Sequence, residues 1–512
     1  MQPFLHSLLG AGKRGDALAL LAGVLLPLAF APFEFFPLAV LAPALLFGLW
    51  LKVSARRAMW RGWLFGVGMF GVGVSWIYVA IHDFGHSGVF LASFLTGGFA
   101  AFLALFPALL GYVVVRFFLG EERSHRPLLL LLVLPAAWTF FEWVRGWILT
   151  GFPWLNLGYS QIDAPLAGFA PLVGAYGVSW LTAISATLLL LVIVSQKSTR
   201  IGAACLFALL WVSAALLGQI EWTQPVGKLL RVSLIQGNIP QDIKWLPEEQ
   251  RRSLELYDNL TQQHWDSDII LWPEAALPAF YHEVADTYLA QLAKQARAHH
   301  TSLLIGLPVQ DQTSGRYYNS MMSLGGQEGF YHKRHLVPFG DYVPLQDLLR
   351  GLIGFFNLPM SGFSPGPDQQ PLLEAAGQKV GISVCYEDVF GEEVIRALPE
   401  ASLLVNATNN AWYGDSFAPP QHLQISRMRA LETGRPVLRV TTNGISALIN
   451  PKGKIVARSP QFATYVLSGT AQPMQGATPY VRVGNYAVLI LMLLSLAGAL
   501  FLVSYRAKPV KV

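Results

Sequence analysis

The chain has 512 residues, 53% of them hydrophobic and 13% charged. An ordinary soluble domain carries about 25% charged residues, so this composition excludes a wholly soluble protein, and the length exceeds one ordinary core. The net charge of +5 is spread in short clusters between apolar runs, with no basic–aromatic patch, so nucleic acid is not an expected partner.

A spanning helix needs about 20 apolar residues. The sequence predicts seven such spans before residue 222, at 16–32, 35–51, 60–81, 88–115, 127–145, 165–195 and 201–219, and an eighth at 485–505. Basic residues gather on one side of these spans: Lys13 and Arg14; Lys52, Arg56, Arg57 and Arg61; Arg116, Arg123 and Arg126; Lys197 and Arg200; Arg506, Lys508 and Lys511. Those fourteen face only Arg145 and Arg482 in the short opposite segments. Lysine and arginine are retained on the cytoplasmic side, so both termini are expected there and the region between the seventh and eighth spans outside the membrane. "LAFA" at 28–31 also reads as a signal-peptidase site, although apolar sequence resumes at once. Cleavage there would remove one span and leave the later region on the same side.

The stretch 138–161, "WTFFEWVRGWILTGFPWLNLGYSQ", puts Glu142 and Arg145 three residues apart at the end of the fifth span. Charges at a membrane boundary are costly unless paired or functional. Two readings follow: an aromatic-belted anchor with an internal salt bridge, or a floor beneath an active site that meets lipid head groups.

From residue 229 onward the signals alternate between strand and helix. "LLRVSLIQGN", "DIILWPE", "SLLIGLP", "KVGISVCYE", "ASLLVNATN" and "PVLRVTTNG" read as strands, with helices over 247–264, 282–300 and about 419–434. "ISALINP" and "KIVARS" bracket a Pro-Lys-Gly turn and read as a hairpin. The mix predicts layered sheets with helices outside. The expected organisation is a membrane bundle over 1–222, a soluble-type α/β domain over 223–475, and a last span with a cytoplasmic tail over 476–512.

Polar residues at strand ends carry the chemistry. "LWPEAALP" puts Glu274 just after a strand, "YHKRHLVPFGDYVP" puts Lys333 eight residues before Asp341, and "VCYED" supplies Cys385, Tyr386 and Glu387. Each has a plain structural reading alone, since a buried cysteine is ordinary core and a carboxylate often marks a helix start. Together they give a base, a cation and a nucleophile, the set that acyl transfer needs. The other cysteine, Cys205, lies in a membrane-like run, and no metal-ligand spacing is present.

Glu274 in "WPE", Lys333 in "YHKRHLVPFG" and Cys385 in "VCYE" resemble the Glu-Lys-Cys triad of the carbon–nitrogen hydrolase (nitrilase) superfamily. With spans before and after, the chain resembles the apolipoprotein N-acyltransferase family of Gram-negative bacteria, also through "QGNIPQDIKW", "TGFPWLNLGYSQ", "LPMSGFSPG", "NNAWYG" and "QHLQISRMRALETGRPVLR". It departs at Asp341, where that family usually has Glu after Phe-Gly. The resemblance implies an αββα nitrilase-type sandwich carried by a polytopic helical membrane protein of about eight spans, its catalytic domain on the periplasmic side of the inner membrane. It implies ping-pong transfer of the sn-1 acyl chain of a phospholipid, typically phosphatidylethanolamine, through a Cys385 thioester to the amine of a diacylglyceryl-cysteine on apolipoproteins. No metal or other cofactor is expected. Glu274 would be the general base, Lys333 the oxyanion partner, Asp341 and Glu387 anions that hold Lys333 or Glu274, and Tyr386 a pocket wall. Phe355, Phe356 and Phe363 in the apolar loop 351–365, with Trp245, are expected to form a lid that admits acyl chains; a satellite core beneath a long loop is the structural alternative. The rival functions are a membrane-tethered amidase or nitrilase that uses water as acceptor, and a transporter or receptor whose nitrilase-like domain is a dead binding module.

Overall fold

The computed structural model describes residues 12–119, 126–344 and 362–505. Of the lid residues, Phe355 and Phe356 lie outside these ranges, and Trp245 and Phe363 within them. Contacts divide the chain into two units. The first takes in the residues up to Tyr78, Phe90–Ile220 and the chain from Val483 on; the second takes in Val79–Val89 and Glu221–Arg482.

The first unit is helical: α1 Lys13–Leu25, α2 Leu38–Trp50, α3 Ala55–Gly73, α4 Val89–Leu103 with continuations to Leu119, α5 Pro127–Arg145, α6 Ala170–Val194, α7 Lys197–Leu217, and a C-terminal helix Tyr486–Tyr505. Helices therefore occupy all eight expected places. Among the described residues, five are long and apolar enough to cross a membrane: Val89–Leu119, Pro127–Arg145, Pro165–Val194, Lys197–Leu217 and Tyr486–Ser504. A sixth is met only if Ala55–Gly73 and Ile77–Phe84, bent by 60°, count as one span. The two N-terminal helices have 13 residues each, shorter than a full span, so a count of eight is not established.

Helices α1 and α3 approach until no side chain fits between them. A Cβ on Gly23 would stand 2.0 Å from the Phe65 carbonyl oxygen, and one on Gly68 2.6 Å from the Leu20 carbonyl oxygen. Small residues at such crossings let dispersion contacts form where lipid offers no hydrophobic drive. Arg61, although counted in the basic bias, is fully buried; its guanidinium bonds Asp16 and donates to the Leu49 carbonyl at 2.7 Å. A buried cation needs such partners.

The second unit contains two six-stranded sheets. Its strands are β1 Leu230–Gln236, β2 Ile269–Leu271, β3 Ser302–Gln310, β4 Tyr317–Leu324, β5 Gly329–His332, β6 Leu373–Ala375, β7 Gln378–Val384, β8 Leu403–Thr408, β9 Val437–Thr441, β10 Ala447–Ile449, β11 Ile455–Arg458 and β12 Tyr465–Ala471. The first sheet runs β12-β1-β2-β3-β4-β5 and the second β11-β10-β9-β8-β7-β6. Each has a parallel core, β1-β2-β3 or β7-β8-β9, with antiparallel strands on both flanks.

Alternation along the strands sets the layers. Val232, Leu234, Ile269 and Leu271 meet Val380, Ile382, Val405 and Val440 in a core between the sheets. The residues between them face outward: Ile235, Ile270, Trp272 and Leu303 pack on Tyr257 of α8 Pro247–Gln262 and on Leu292 and Ala296 of α9 Ala290–His299. On the other side, Leu404, Val437 and Ala447 pack on Leu423 and Ala430 of α10 Ala418–Thr433. This is the expected αββα sandwich. Strands covered on both faces read as continuous apolar runs, which is why the parallel cores are visible in the sequence.

Candidate active site

Cys385 is the first residue after β7, and the chain turns on it. Its φ is +52°, a left-handed value that costs a residue with a Cβ about 1–3 kcal/mol unless its surroundings fix it. A short 3-10 turn, Cys385–Val389, follows.

Glu274 comes from the other sheet, in the loop after β2. Gly306 of β3 allows that loop to pack close: a Cβ there would lie 2.1 Å from the Pro273 carbonyl oxygen and 2.9 Å from the Glu274 Cα. The Glu274 carboxylate accepts from Asn319 Nδ2 at 2.7 Å, from the Asn409 backbone N–H at 2.7 Å and from Lys333 Nζ at 3.3 Å. Lys333 follows β5 and is buried; its Nζ is also 2.8 Å from Asp341 Oδ2. That oxygen accepts the Val337 N–H at 2.7 Å, so Asp341, short by one methylene, still reaches both the lysine and its own turn.

The charges fix the protonation states. Burial pushes Glu274 up, but Lys333 and the Asn319 and Asn409 donors outweigh it, leaving its carboxyl below the ordinary carboxylate range. Burial disfavours the Lys333 ammonium, but Asp341 and Glu274 hold its pKa well above the ordinary lysine value. Burial, and secondly the Glu274 charge, push the Cys385 thiol far up. These shifts favour a carboxylate at Glu274 and a neutral thiol at Cys385, a pairing in which the carboxylate could accept the thiol proton.

Burial pushes the Glu387 pKa up against the pull of the Lys333 charge. Its carboxylate accepts the Val384 N–H at 2.7 Å, the Arg334 N–H at 2.7 Å, the His335 N–H at 3.2 Å and the Tyr331 hydroxyl at 3.0 Å, and it makes no hydrogen bond to Lys333 or Glu274. It ties the end of β7 to the segment that follows Lys333. The Tyr386 ring packs against His335 and Phe390, centroids 5.7 and 5.2 Å away. Trp245 is half-buried beneath the Lys244 ammonium, which lies 5.9 Å from its ring centroid. Phe363 packs edge-on to Tyr317 at 5.1 Å, and its N–H donates to the Asp341 carbonyl at 2.9 Å.

Glu142 and Arg145 belong to the first unit and are turned into it, 5% and 3% exposed. Glu142 accepts from Trp138 Nε1 and the Leu157 N–H, both at 2.9 Å. Arg145 donates to the Phe152 and Trp154 carbonyls and to Asn156 Oδ1, each at 2.6 Å. They clamp the loop 152–157 to α5. Contact with lipid head groups, one of the two expectations, does not fit side chains so enclosed.

Sequence reasoning missed Asn319, Asn409 and Lys244. Lys244 is buried, and its Nζ donates to the Glu274 backbone carbonyl at 3.4 Å. Burial pushes its pKa down to about 8 against the pull of Glu274. Lys244 and Asn409 stand in "QGNIPQDIKW" and "NNAWYG", stretches that carried the resemblance without a role for either residue.

Two family models match the chain. Residues 22–188 match the family described as apolipoprotein N-acyltransferase N-terminal domain, and residues 231–480 match carbon–nitrogen hydrolase. The apolipoprotein N-acyltransferase of Methylococcus capsulatus is 47% identical over 92% of this chain and 93% of its own. That of Azotobacter vinelandii is 45% identical over 96% and 95%. Among solved structures, a carbon–nitrogen hydrolase from Helicobacter pylori G27 aligns at a TM-score of 0.36 and 16% identity, covering 47% of this chain and 88% of that one. Identity at this level over nearly the whole length places the chain in the apolipoprotein N-acyltransferase family.

Proposed function

We propose that the chain transfers the sn-1 acyl chain of a phospholipid, by way of a thioester on Cys385, to the N-terminal amine of diacylglyceryl-cysteine on apolipoproteins. The observation that carries the mechanism is a buried Glu274 held 3.3 Å from Lys333, with Cys385 buried in the same charged cluster. Sγ of Cys385 attacks the ester carbonyl as Glu274 takes its proton, and the Lys333 ammonium faces the oxyanion. Collapse expels the glycerol oxygen, which recovers the proton from Glu274 and leaves as lysophospholipid. The lipoprotein amine then attacks the thioester carbonyl, Glu274 accepts a proton from it, and as the C–S bond breaks the amide forms and Glu274 returns that proton to the Cys385 sulfur. An amide is more stable than a thioester, so the second step runs downhill.

Phosphatidylethanolamine is the proposed donor. The inner membrane is the proposed location, with the catalytic unit on the periplasmic side, a reading supported by the fourteen-to-two distribution of Lys and Arg. A reporter active only outside the cytoplasm should work when fused near residue 225 or 475 and stay silent after 57 or 198; the reverse pattern would refute the orientation.

Incubating the protein with phospholipid, with and without a diacylated lipopeptide bearing a free N-terminus, tests the reaction. Acylated peptide, and a lysophospholipid burst limited to one equivalent when peptide is omitted, is the expected result. Steady release of free fatty acid with unchanged peptide would make the protein a hydrolase. Cys385→Ala and Cys385→Ser should abolish both half-reactions, since an alcohol is far less acidic than a thiol. Glu274→Gln should lose at least about 10²-fold, the usual scale of general-base catalysis.

A further inference from the structure

The backbone carbonyl of Cys385 is gripped by two side chains that the reaction scheme leaves without a role. Asn406 of β8 donates its Nδ2 to that oxygen at 3.2 Å. His422 of α10 bonds the same carbonyl. Each is held in turn. Asn406 Oδ1 accepts from Thr408 Oγ1 at 2.6 Å and from Arg439 of β9. His422 Nε2 lies 2.6 Å from Asp388 Oδ1, and the other Asp388 oxygen accepts from Ser426 and, at 3.5 Å, from Arg439. Asn406, His422, Asp388, Ser426 and Arg439 are all buried.

Four pieces of the fold, the turn after β7, β8, β9 and α10, thus converge on one peptide. That peptide belongs to the residue with the left-handed backbone, a conformation that persists only where the surroundings over-determine it. Buried hydrogen-bond networks that are well satisfied rigidify what they touch. We propose that Asn406 and His422 are positioning residues for the nucleophile: by holding the Cys385 carbonyl, with Arg439 and Asp388 bracing them, they maintain the turn that presents Sγ to Glu274 and Lys333. The inference rests on Cys385 being the nucleophile.

Asn406→Asp is the informative change. It keeps an acceptor for Arg439 and Thr408 and replaces the donor aimed at the Cys385 carbonyl with an oxygen that repels it. The full chain, in a Cys205→Ala background that leaves Cys385 as the sole thiol, is assayed three ways: alkylation of Cys385 by iodoacetamide, thioester formation from phosphatidylethanolamine vesicles, and thermal midpoint. Alkylation and the acylation burst should fall, the burst by up to about 10²-fold as expected for a misplaced reacting group, while KM and the midpoint stay near wild type. His422→Gln, which keeps one amide donor, should show a smaller loss of the same kind and carries the test if Asn406→Asp does not fold. Folded variants with wild-type alkylation and burst rates would overturn the proposal, as would losses that merely track the unfolded fraction. If wild-type protein forms no thioester with phospholipid but the variants still alkylate slowly, the donor assignment falls and the positioning role stands.

Discussion

The ammonium of Lys333 rests on Asp341, Nζ to Oδ2 at 2.8 Å. Its contact with Glu274 Oε1 is longer at 3.3 Å. One cation therefore serves two buried carboxylates, and the residue that departs from the usual family pattern holds it more closely.

Asp341→Asn should release Lys333 toward Glu274, engaging the base in a tighter ion pair. Removing one partner of a buried pair usually costs roughly 3–5 kcal/mol, and the remaining carboxylate should moderate that. Thioester formation is expected to drop by about 10- to 10²-fold, within the range of lost acid–base assistance. Asp341→Glu keeps the charge and should retain most activity, at a packing cost of about 1–3 kcal/mol for the added methylene. Quenched-flow measurement of the acyl-enzyme decides it; a wild-type rate in the Asn variant would reduce Asp341 to a turn-former.

The two half-reactions should separate with pH. In the proposed reaction Glu274 is a base while ionised, and its pKa lies below the ordinary carboxylate value of 4.5. Falling pH should therefore spare thioester formation until below that value. The acceptor amine, with an ordinary pKa of about 8, must be neutral to attack, so its step slows about tenfold per pH unit below that point. Near pH 5.5 the thioester should accumulate even with lipopeptide present, readable as intact mass. Parallel decline of both steps would mean that Glu274 is not an ionised base.

Lys244→Met should make the protein more stable and less active. Burial lowers the Lys244 pKa to about 8, whereas the unfolded chain holds that proton to about 10.4. The unfolded state binds more protons between these values, so wild-type stability rises with pH through that window, and below it the buried charge costs about 3 kcal/mol. The Met variant should melt several degrees higher at pH 7, an advantage that shrinks above pH 8. Acylation should fall, because the Nζ contact to the Glu274 carbonyl and a positive charge facing that residue are gone. A lower melting point at pH 7 would show that the charge is compensated.

Gly306→Ala tests the seat of the base. The added methyl meets the Pro273 carbonyl oxygen at 2.1 Å, so the loop carrying Glu274 must move. A displacement near 1 Å costs on the order of 10²-fold in rate, while overpacking costs about 1–3 kcal/mol. The rate of thioester formation should therefore fall far more than the thermal midpoint, and an unchanged rate would place the slack elsewhere.

Legibility from the sequence followed burial. The strands β1, β2, β3, β7, β8 and β9 were readable because their apolar runs pack on both faces. β4, "YYNSMMSL", escaped notice because Asn319, Ser320 and Ser323 are buried polar residues. A polar residue within a strand reads as an exposed one until its partner is known, and Asn319 needs Glu274, 45 positions away. The acidic pair after Cys385 is conspicuous in the sequence, but not its divergence. Glu387 turns toward Tyr331 and the backbone after β5, whereas Asp388 turns toward His422. Adjacent side chains in a tight turn point to different layers, and only the packed sandwich assigns them. The triad stood out because each member terminates a strand; Lys244 did not, because it sits in a polar loop.

Glu274 and Lys333 leave one sheet and Cys385 leaves the other, so the three side chains of the proposed reaction ride on two separate slabs. Polar ties cross from slab to slab, among them the Asn409 N–H to Glu274 at 2.7 Å, the Arg334 N–H and Tyr331 hydroxyl to Glu387 at 2.7 and 3.0 Å, and Gln236 with Ser446 and Ser459 at 2.8 Å. The rest of the alignment is kept by aliphatic side chains in the interleaf, such as Leu234 and Val405. A slip of one residue along a strand is about 3.3 Å, enough to carry the Cys385 sulfur out of reach of the base proposed for it. The greasy interior thus works as a jig. A methyl lost there, far from any ester, loosens the alignment of acid, cation and thiol before it threatens the fold.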